Sequence, residues 1–402
     1  MSMPCAATLT LEGAHDLMRL HARPIGSDRL PIADAVGRVL AEPIRARVDS
    51  PRADVAAMDG FAVRDDAVTP GIASLEIIGT TYAGGSPGSA LDEHSAWRIT
   101  TGAPVPANAD RVIPFELMAE EAGRVALVEA VPVGRHIRKR ATDFGSGQVL
   151  LTIGTLLDPA RMIVAAASDQ PLVTVHRRPS LRIVASGDEL SPAGEAAART
   201  MGVPDSLTDA LLLFSRQWGA DTAGKAVVAD EAGPIADAIG FAAELSDVVV
   251  VLGGAASGER DLSRPASVAL GLELAFAGVA MKPGKPVWYG RFGATHVLGL
   301  PGNPAGAFIA ARLFLAPLLA ALGGRGFDAA LTWREAKVGH AVPANGAREL
   351  FLYARQEFST ISIIDKQSAS AQLPLAAANL IARRQARAAA LLPGDMITVL
   401  DL

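Results

Sequence analysis

Only one cysteine, Cys5, occurs among the 402 residues. A lone thiol can close neither an internal disulfide nor a multi-thiolate metal site, which gives no support to a zinc or iron–sulfur reading and suits a reducing compartment. Aromatic residues are also scarce, 5% against 50% hydrophobic, so the cores must be built from Ala, Val, Leu and Ile. A basic excess is missing: 37 Lys and Arg face 42 Asp and Glu, for a net charge of −5. Without surplus cations to neutralise phosphates, no nucleic-acid partner is expected. The most membrane-like run, 305–322, is interrupted by Arg312 and Pro317 and follows a Pro/Gly loop, which predicts a buried helix and no membrane partner. Residues 1–10 lack the charged and apolar regions of a signal peptide and read as a frayed leader, so a soluble, cytoplasmic protein is expected. No period of 20 to 50 residues recurs.

What is present is a chain long enough for two to four domains. Thr10 can cap a helix over 12–21, and Pro31 can start another over 32–40. From about 48 to 130 the texture turns to short apolar runs between Gly and Pro, including 75–78, 97–100 and 125–128, which predicts a β-rich unit. Asp158-Pro159 opens a helix through 167, a strand follows at 172–176, and Arg178-Pro179 marks a boundary. Beyond it strands at 181–185, 225–229 and 248–252 alternate with helices at 205–218 and 234–245, the spacing of right-handed crossovers in a doubly wound, mostly parallel α/β sheet. Further strands are expected at 279–281 and 296–298. The tail from Trp333, with runs at 350–353, 359–364 and 396–400, reads as a small barrel or sandwich.

Four unusual loops follow expected strands of this sheet: Ser186-Gly187-Asp188-Glu189, the segment 253–261, Lys282-Pro283-Gly284-Lys285-Pro286, and Pro301-Gly302-Asn303-Pro304. Strand-to-helix loops of a parallel sheet all open on one edge, where ligands bind. Glycines there let backbone N–H groups approach an anion, two lysines supply point charges, and carboxylates can hold a hard cation. Together they describe a phosphate-bearing ligand with Mg²⁺. Each loop has a plainer alternative: a helix cap at Asp188, a glycine turn with a surface Arg260–Asp261 pair, solvated lysines, and a rigid turn before a helix.

These loops, with Ala57-Met58-Asp59-Gly60-Phe61-Ala62, Thr100-Thr101-Gly102-Ala103-Pro104, residues 134–143, Asp205-Ser206 and residues 367–373 with Ala378-Asn379, resemble the molybdopterin molybdenumtransferase family, which includes the gephyrin E domain. The resemblance implies four domains: an elongated dimerisation domain (1–47 and 140–178), an inserted β-rich domain (48–139), an α/β molybdopterin-binding-like domain (179–328) and a C-terminal β-barrel (329–402). It implies insertion of molybdate into adenylylated molybdopterin with release of AMP, dependent on Mg²⁺, in a homodimer whose site lies between subunits. Asp188, Glu189 and Asp261 would serve the cation and adenylate, and Lys282 and Lys285 would bind oxyanions. Gly253, Gly254, Ser257, Gly258, Pro301 and Asn303 would form the ligand loops. Asp59, Thr101, Arg138 and Asp143 would come from the neighbouring β face, and Arg348 would be a further anion ligand. Asp59 before Gly60 could otherwise close a β-turn, and Arg348 could guard a strand edge.

The chain departs from the family pattern at Ala141-Thr142, at Leu207 in place of Asn, at Ala256 in place of Ser, at Gln367-Ser368-Ala369 and at Tyr353. Those changes remove polar groups and keep two alternatives open: a non-catalytic paralogue that binds pterin or a partner as a carrier or scaffold, and a different phosphate-ligand enzyme on the same frame.

Overall fold

The computed structural model describes residues 9–68, 74–128, 130, 133–253, 262–365 and 367–402. Three six-stranded sheets organise them. In the first, strand Val248–Leu252 is buried at every position, so its alternate residues feed two cores. Val248, Val250 and Leu252 pack with Leu211, Phe214 and the long apolar helix that begins at Pro304, while Val249 and Val251 pack with Ile235, Ile239 and Ala242. Helices therefore cover both faces, as a parallel sheet requires. The order is Asp221–Val228, Ser180–Ser186, Val248–Leu252, Thr295–Leu300, Trp288–Phe292, Glu273–Ala277. The first four strands are parallel. The last two are antiparallel and had no sequence signal strong enough to expect them. Trp288 fixes this edge by lying against Gly299, where a side-chain carbon would come within 2.0 Å of the indole.

Two expectations fail locally. The helix over 32–40 is only a 3-10 turn, Ile32–Ala35. Val36 is extended (ψ 129°) and Gly37 has φ 71°, and the chain pairs elsewhere: strand Ser27–Pro31 runs antiparallel to Leu172–His176. The strand over 279–281 is not part of the α/β sheet. Met281–Lys282 instead pairs in parallel with Glu349–Leu350.

The Glu349–Glu357 strand pairs with both Thr360–Ile363 and Leu380–Arg384, and Arg334–Val338 and Met396–Asp401 complete the ring, a closed five-stranded barrel. Barrel and α/β unit share one core through the helix Pro304–Leu322, a 19-residue segment long and apolar enough to cross a membrane but 94% buried in the protein over its most apolar window. Arg312 within it is 3% exposed and is held by the carbonyls of Asp401 (2.7 Å) and Ala330 (2.6 Å), one on the barrel and one beyond the helix end. The N-terminal helix Leu11–Arg19, capped by Thr10 Oγ1 accepting from Gly13 N–H at 3.1 Å, buries Leu11, Ala14, His15 and Met18 in the same core.

The third sheet contains Gly60–Val63, Leu75–Thr81, Ser95–Ile99, Arg111–Pro114, Met118–Glu121 and Arg124–Leu127 around Phe61, Ile113 and Val125. Gly60 is required there, because a side-chain carbon would sit 2.0 Å from the Ile113 carbonyl.

Candidate functional site

Strands Ser180–Ser186, Val248–Leu252 and Thr295–Leu300 run in the same direction and end side by side, which brings Ser186, Gly253 and Pro301 to one edge. The approach is close. A side-chain carbon at Gly253 (φ 85°) would meet the Ser186 carbonyl at 2.6 Å, and one at Gly302 would stand 3.5 Å from Gly253 Cα. One at Gly306 would contact Pro283, Pro301 and Ala369 at 3.6, 3.7 and 3.6 Å. The Lys282–Pro286 loop thus reaches this edge from the barrel side, not from a strand of the parallel sheet, because Met281–Lys282 is paired into the barrel.

A cavity of about 590 Å³ opens there, lined on its polar side by Ser186, Glu189, Asp205, Asp230, Asn303 and Gln372. That volume lies within the range of about 300 to 1,000 Å³ usual for small-molecule sites. Asp188 Oδ1 accepts from Asp230 N–H at 3.1 Å, and its carbonyl accepts from Arg199 at 2.5 Å. It caps no helix: Gly187–Leu190 closes a turn, and the next helix, Thr208–Gln217, is capped by Asp205, whose Oδ1 accepts from the N–H groups of Leu207 and Thr208. Glu189 lines the cavity, its carbonyl accepting from Val203 N–H at 2.8 Å while its carboxylate has no hydrogen-bond partner among the described residues and is available to a cation. Asp261, Gly254, Ser257 and Gly258 lie outside the described residues, and among those described no three His, Cys, Asp or Glu side chains converge on one point. Oxygen donors at Glu189 and Asp188 fit a hard cation such as Mg²⁺ in kind.

Helix Pro304–Ala310 starts at Asn303, whose carbonyl accepts from Ala307 N–H at 2.8 Å while its side chain makes no cap. Asn303 is thereby left facing the cavity. Lys282 and Lys285 are exposed, and Lys282 stands opposite Leu350, two positions along the strand from Arg348, which is exposed as well. Three exposed cations therefore lie on or near the Met281–Leu350 ladder, and none of them lines the cavity.

The remaining expected residues sit away from this edge, on and beside the third sheet. Asp59 Oδ1 accepts from both the Thr101 N–H (2.6 Å) and the Thr101 hydroxyl (2.8 Å), and these two donors hold its carboxyl below the usual carboxylate range. Asp59 therefore does more than close a turn. Arg138, exposed, pairs through its backbone with Val55, and Asp143 N–H donates to Ser50 O at 3.0 Å. Asp230 lies outside every motif, while Ser186 and Gln372 belong to the segments 186–189 and 367–373 without having been assigned as ligands; Gln372 arrives from the barrel tail, where its Nε2 reaches Ser206 Oγ at 3.1 Å.

A family model described as MoeA N-terminal region (domain I and II) matches residues 9–168, and one described as probable molybdopterin binding domain matches 182–321. A molybdopterin molybdenumtransferase of a Nostoc species is 34% identical over 72% of this chain and 68% of its own length. Molybdopterin molybdenumtransferase 1 of Mycobacterium tuberculosis is 30% identical over 74% of each. The crystal structure of a molybdopterin biosynthesis MoeA protein from Pyrococcus horikoshii superposes with a TM-score of 0.82 at 28% identity, covering 98% of this chain and 99% of that one. The motifs, the closed barrel fused to a mostly parallel α/β sheet, and these relatives lead to one conclusion: the chain belongs to the molybdopterin molybdenumtransferase family, transferases of molybdenum cofactor biosynthesis.

Proposed function

We propose that this chain inserts molybdate into adenylylated molybdopterin and releases AMP, with Mg²⁺ bound at the site. The observation that carries the reading is the polar cavity at the carboxyl edge of the parallel sheet, where Glu189, Gly253, Gly302 and Asn303 meet and to which the loop carrying Lys282 and Lys285 comes close through Pro283. Gly253 and Gly302 let a phosphate approach the backbone closely at this edge, and Asn303 adds a side-chain amide donor. Lys282 and Lys285 offset the negative charge of oxyanions that gather as the phosphoanhydride breaks. Asp188 and Glu189, with Asp261, hold the cation, which when bound supplies Lewis-acid polarisation of phosphate oxygens.

The working unit in this reading is a homodimer in the cytoplasm. Its helix Pro159–Ala167, capped by Asp158, buries only Ala165 within the chain and leaves Ile163 73% exposed, an apolar face suited to a second copy. Residues 1–47 with 140–178 form the dimerisation domain, 48–139 the inserted β domain, 179–328 the pterin-binding domain and 329–402 the barrel. The partner's Asp59–Thr101 pair, Arg138 and Asp143 then complete the site.

One feature favours a carrier without turnover. Leu207, 9% exposed, places an apolar side chain in the cavity wall beside Asp205 and Ser206, where the family carries Asn. Incubation with adenylylated molybdopterin, Mg²⁺ and molybdate separates the two. AMP release that depends on molybdate supports insertion; tight pterin binding with AMP at background sinks it in favour of the carrier.

A further inference from the structure

A second cavity, about 250 Å³, lies where the Ser27–Pro31 and Leu172–His176 ladder meets the α/β unit. Arg38, Arg177, Arg178, Arg216 and Arg325 line it, and no carboxylate does. Three of these have acidic partners outside the wall: Arg38 donates to Asp28 at 2.6 Å, Arg177 to both oxygens of Asp247 at 2.9 and 3.2 Å, and Arg178 stands 3.6 Å from Asp221. Arg216 and Arg325 have no carboxylate partner among the described residues. Arg216 Nε donates to Thr222 Oγ1 at 2.7 Å, and Arg325 lies 5.2 Å over the Trp218 ring, which fixes its plane. The Nε atoms of Arg38 and Arg178 are buried without any hydrogen-bond partner.

Two helices end here, Thr208–Gln217 at Trp218 and Ala316–Leu322 at Gly323, and their negative ends attract cations. Each end carries roughly half a charge, so together they answer about one guanidinium of the two left unpaired. A positive excess remains in a space that holds about eight waters at about 30 Å³ each, too small for a nucleotide-sized ligand.

We propose that this cavity binds a dianionic tetrahedral oxyanion, of the phosphate, sulfate or molybdate class, between Arg216 and Arg325. The bound ion ties the Arg177-Arg178 linker to the ends of both helices, a site apart from the 590 Å³ cavity and independent of the proposed reaction.

Calorimetric titration of the full chain with inorganic phosphate, sulfate and molybdate, each against sodium chloride at equal ionic strength, tests it. Lys282→Ala and Lys285→Ala are included in the background so that the other cavity is silent. The expected result is one saturable site per chain for at least one of the three ions, weakened about tenfold or more, about 1.4 kcal/mol, by Arg216→Gln with Arg325→Gln. Arg216→Gln alone, an exposed position with little bearing on folding, weakens it in the same direction. No saturable binding beyond chloride, or equal affinity in the Arg216→Gln chain, overturns the proposal. The ion that binds tightest names the source. AMP release by the unsubstituted chain is read separately, so failure here leaves the insertion reading standing.

Discussion

At the scale of single residues the candidate site is a matter of which polar atoms are already satisfied. Asp59 is engaged by both donors of Thr101 and Asp205 by a helix start, whereas the side chains of Glu189, Lys282, Lys285 and Arg348 make no hydrogen bond among the described residues. Lys285 is exposed and its carbonyl, not its ammonium, does the structural work by accepting from Val279 N–H at 2.9 Å. Lys285→Ala should therefore leave the unfolding free energy from urea titration within about 0.5 kcal/mol of the parent, as for ordinary surface changes. It should also weaken molybdate binding about tenfold or more through loss of one charge-assisted contact. Equal molybdate affinity by calorimetry in the two proteins would remove Lys285 from the site.

At the scale of elements, the helix Leu11–Arg19 shows how an N-terminal segment is committed to a distant core. His15 Nε2–H donates to the Leu313 carbonyl at 2.8 Å, and the ring packs edge-on against Phe314 and Phe327. Burial pushes its pKa from 6.5 down to about 4. The folded state then binds fewer protons than the unfolded chain between those values, so the stability His15 contributes is complete above pH 6.5 and falls away as the pH drops toward 4. The loss is on the order of 3 kcal/mol at 1.36 kcal/mol per unit. Urea unfolding of parent and His15→Gln from pH 7.5 to 4 should show a flatter profile in the variant. Parallel profiles would mean that His15 titrates alike in both states.

At the scale of the whole molecule, the proposed site needs a second chain. Asp59 and Thr101 flank strands of the third sheet, Arg138 pairs with Val55 in a two-stranded ladder, and neither these nor Asp143 line the 590 Å³ cavity. A shared site makes Arg138→Ala and Lys285→Ala complementary. Each inactive alone, they should recover about a quarter of parental AMP release when unfolded and refolded together in equal amounts, since half of random dimers are mixed and each has one intact site. No recovery, with mixed dimers shown by mass spectrometry, would place all these residues within one chain's site or outside it.

Much of this was legible in the residues alone. The strand at 248–252 and the helix starts at Thr10 and Asp158 follow from local chemistry, namely a run of valines with two buried faces and side-chain oxygens placed to take the first free N–H groups. The glycine, lysine and acidic loops were visible because ligand chemistry needs those residue types. What local chemistry could not supply was partnership across sequence. Residues 32–40 look helical until strand Leu172–His176 claims the segment before them, and Met281–Lys282 looks like a sheet strand until Glu349–Leu350 draws it into the barrel. Gln372 and Ser370 enter the cavity wall only because the barrel docks on the helix Pro304–Leu322. The sequence by itself determined the two-sided core, the loop chemistry and the family. Tertiary structure alone decided which loops share a cavity and which arginines gather without carboxylates, because those depend on pairings between residues tens to hundreds of positions apart, whose free energy no local window contains.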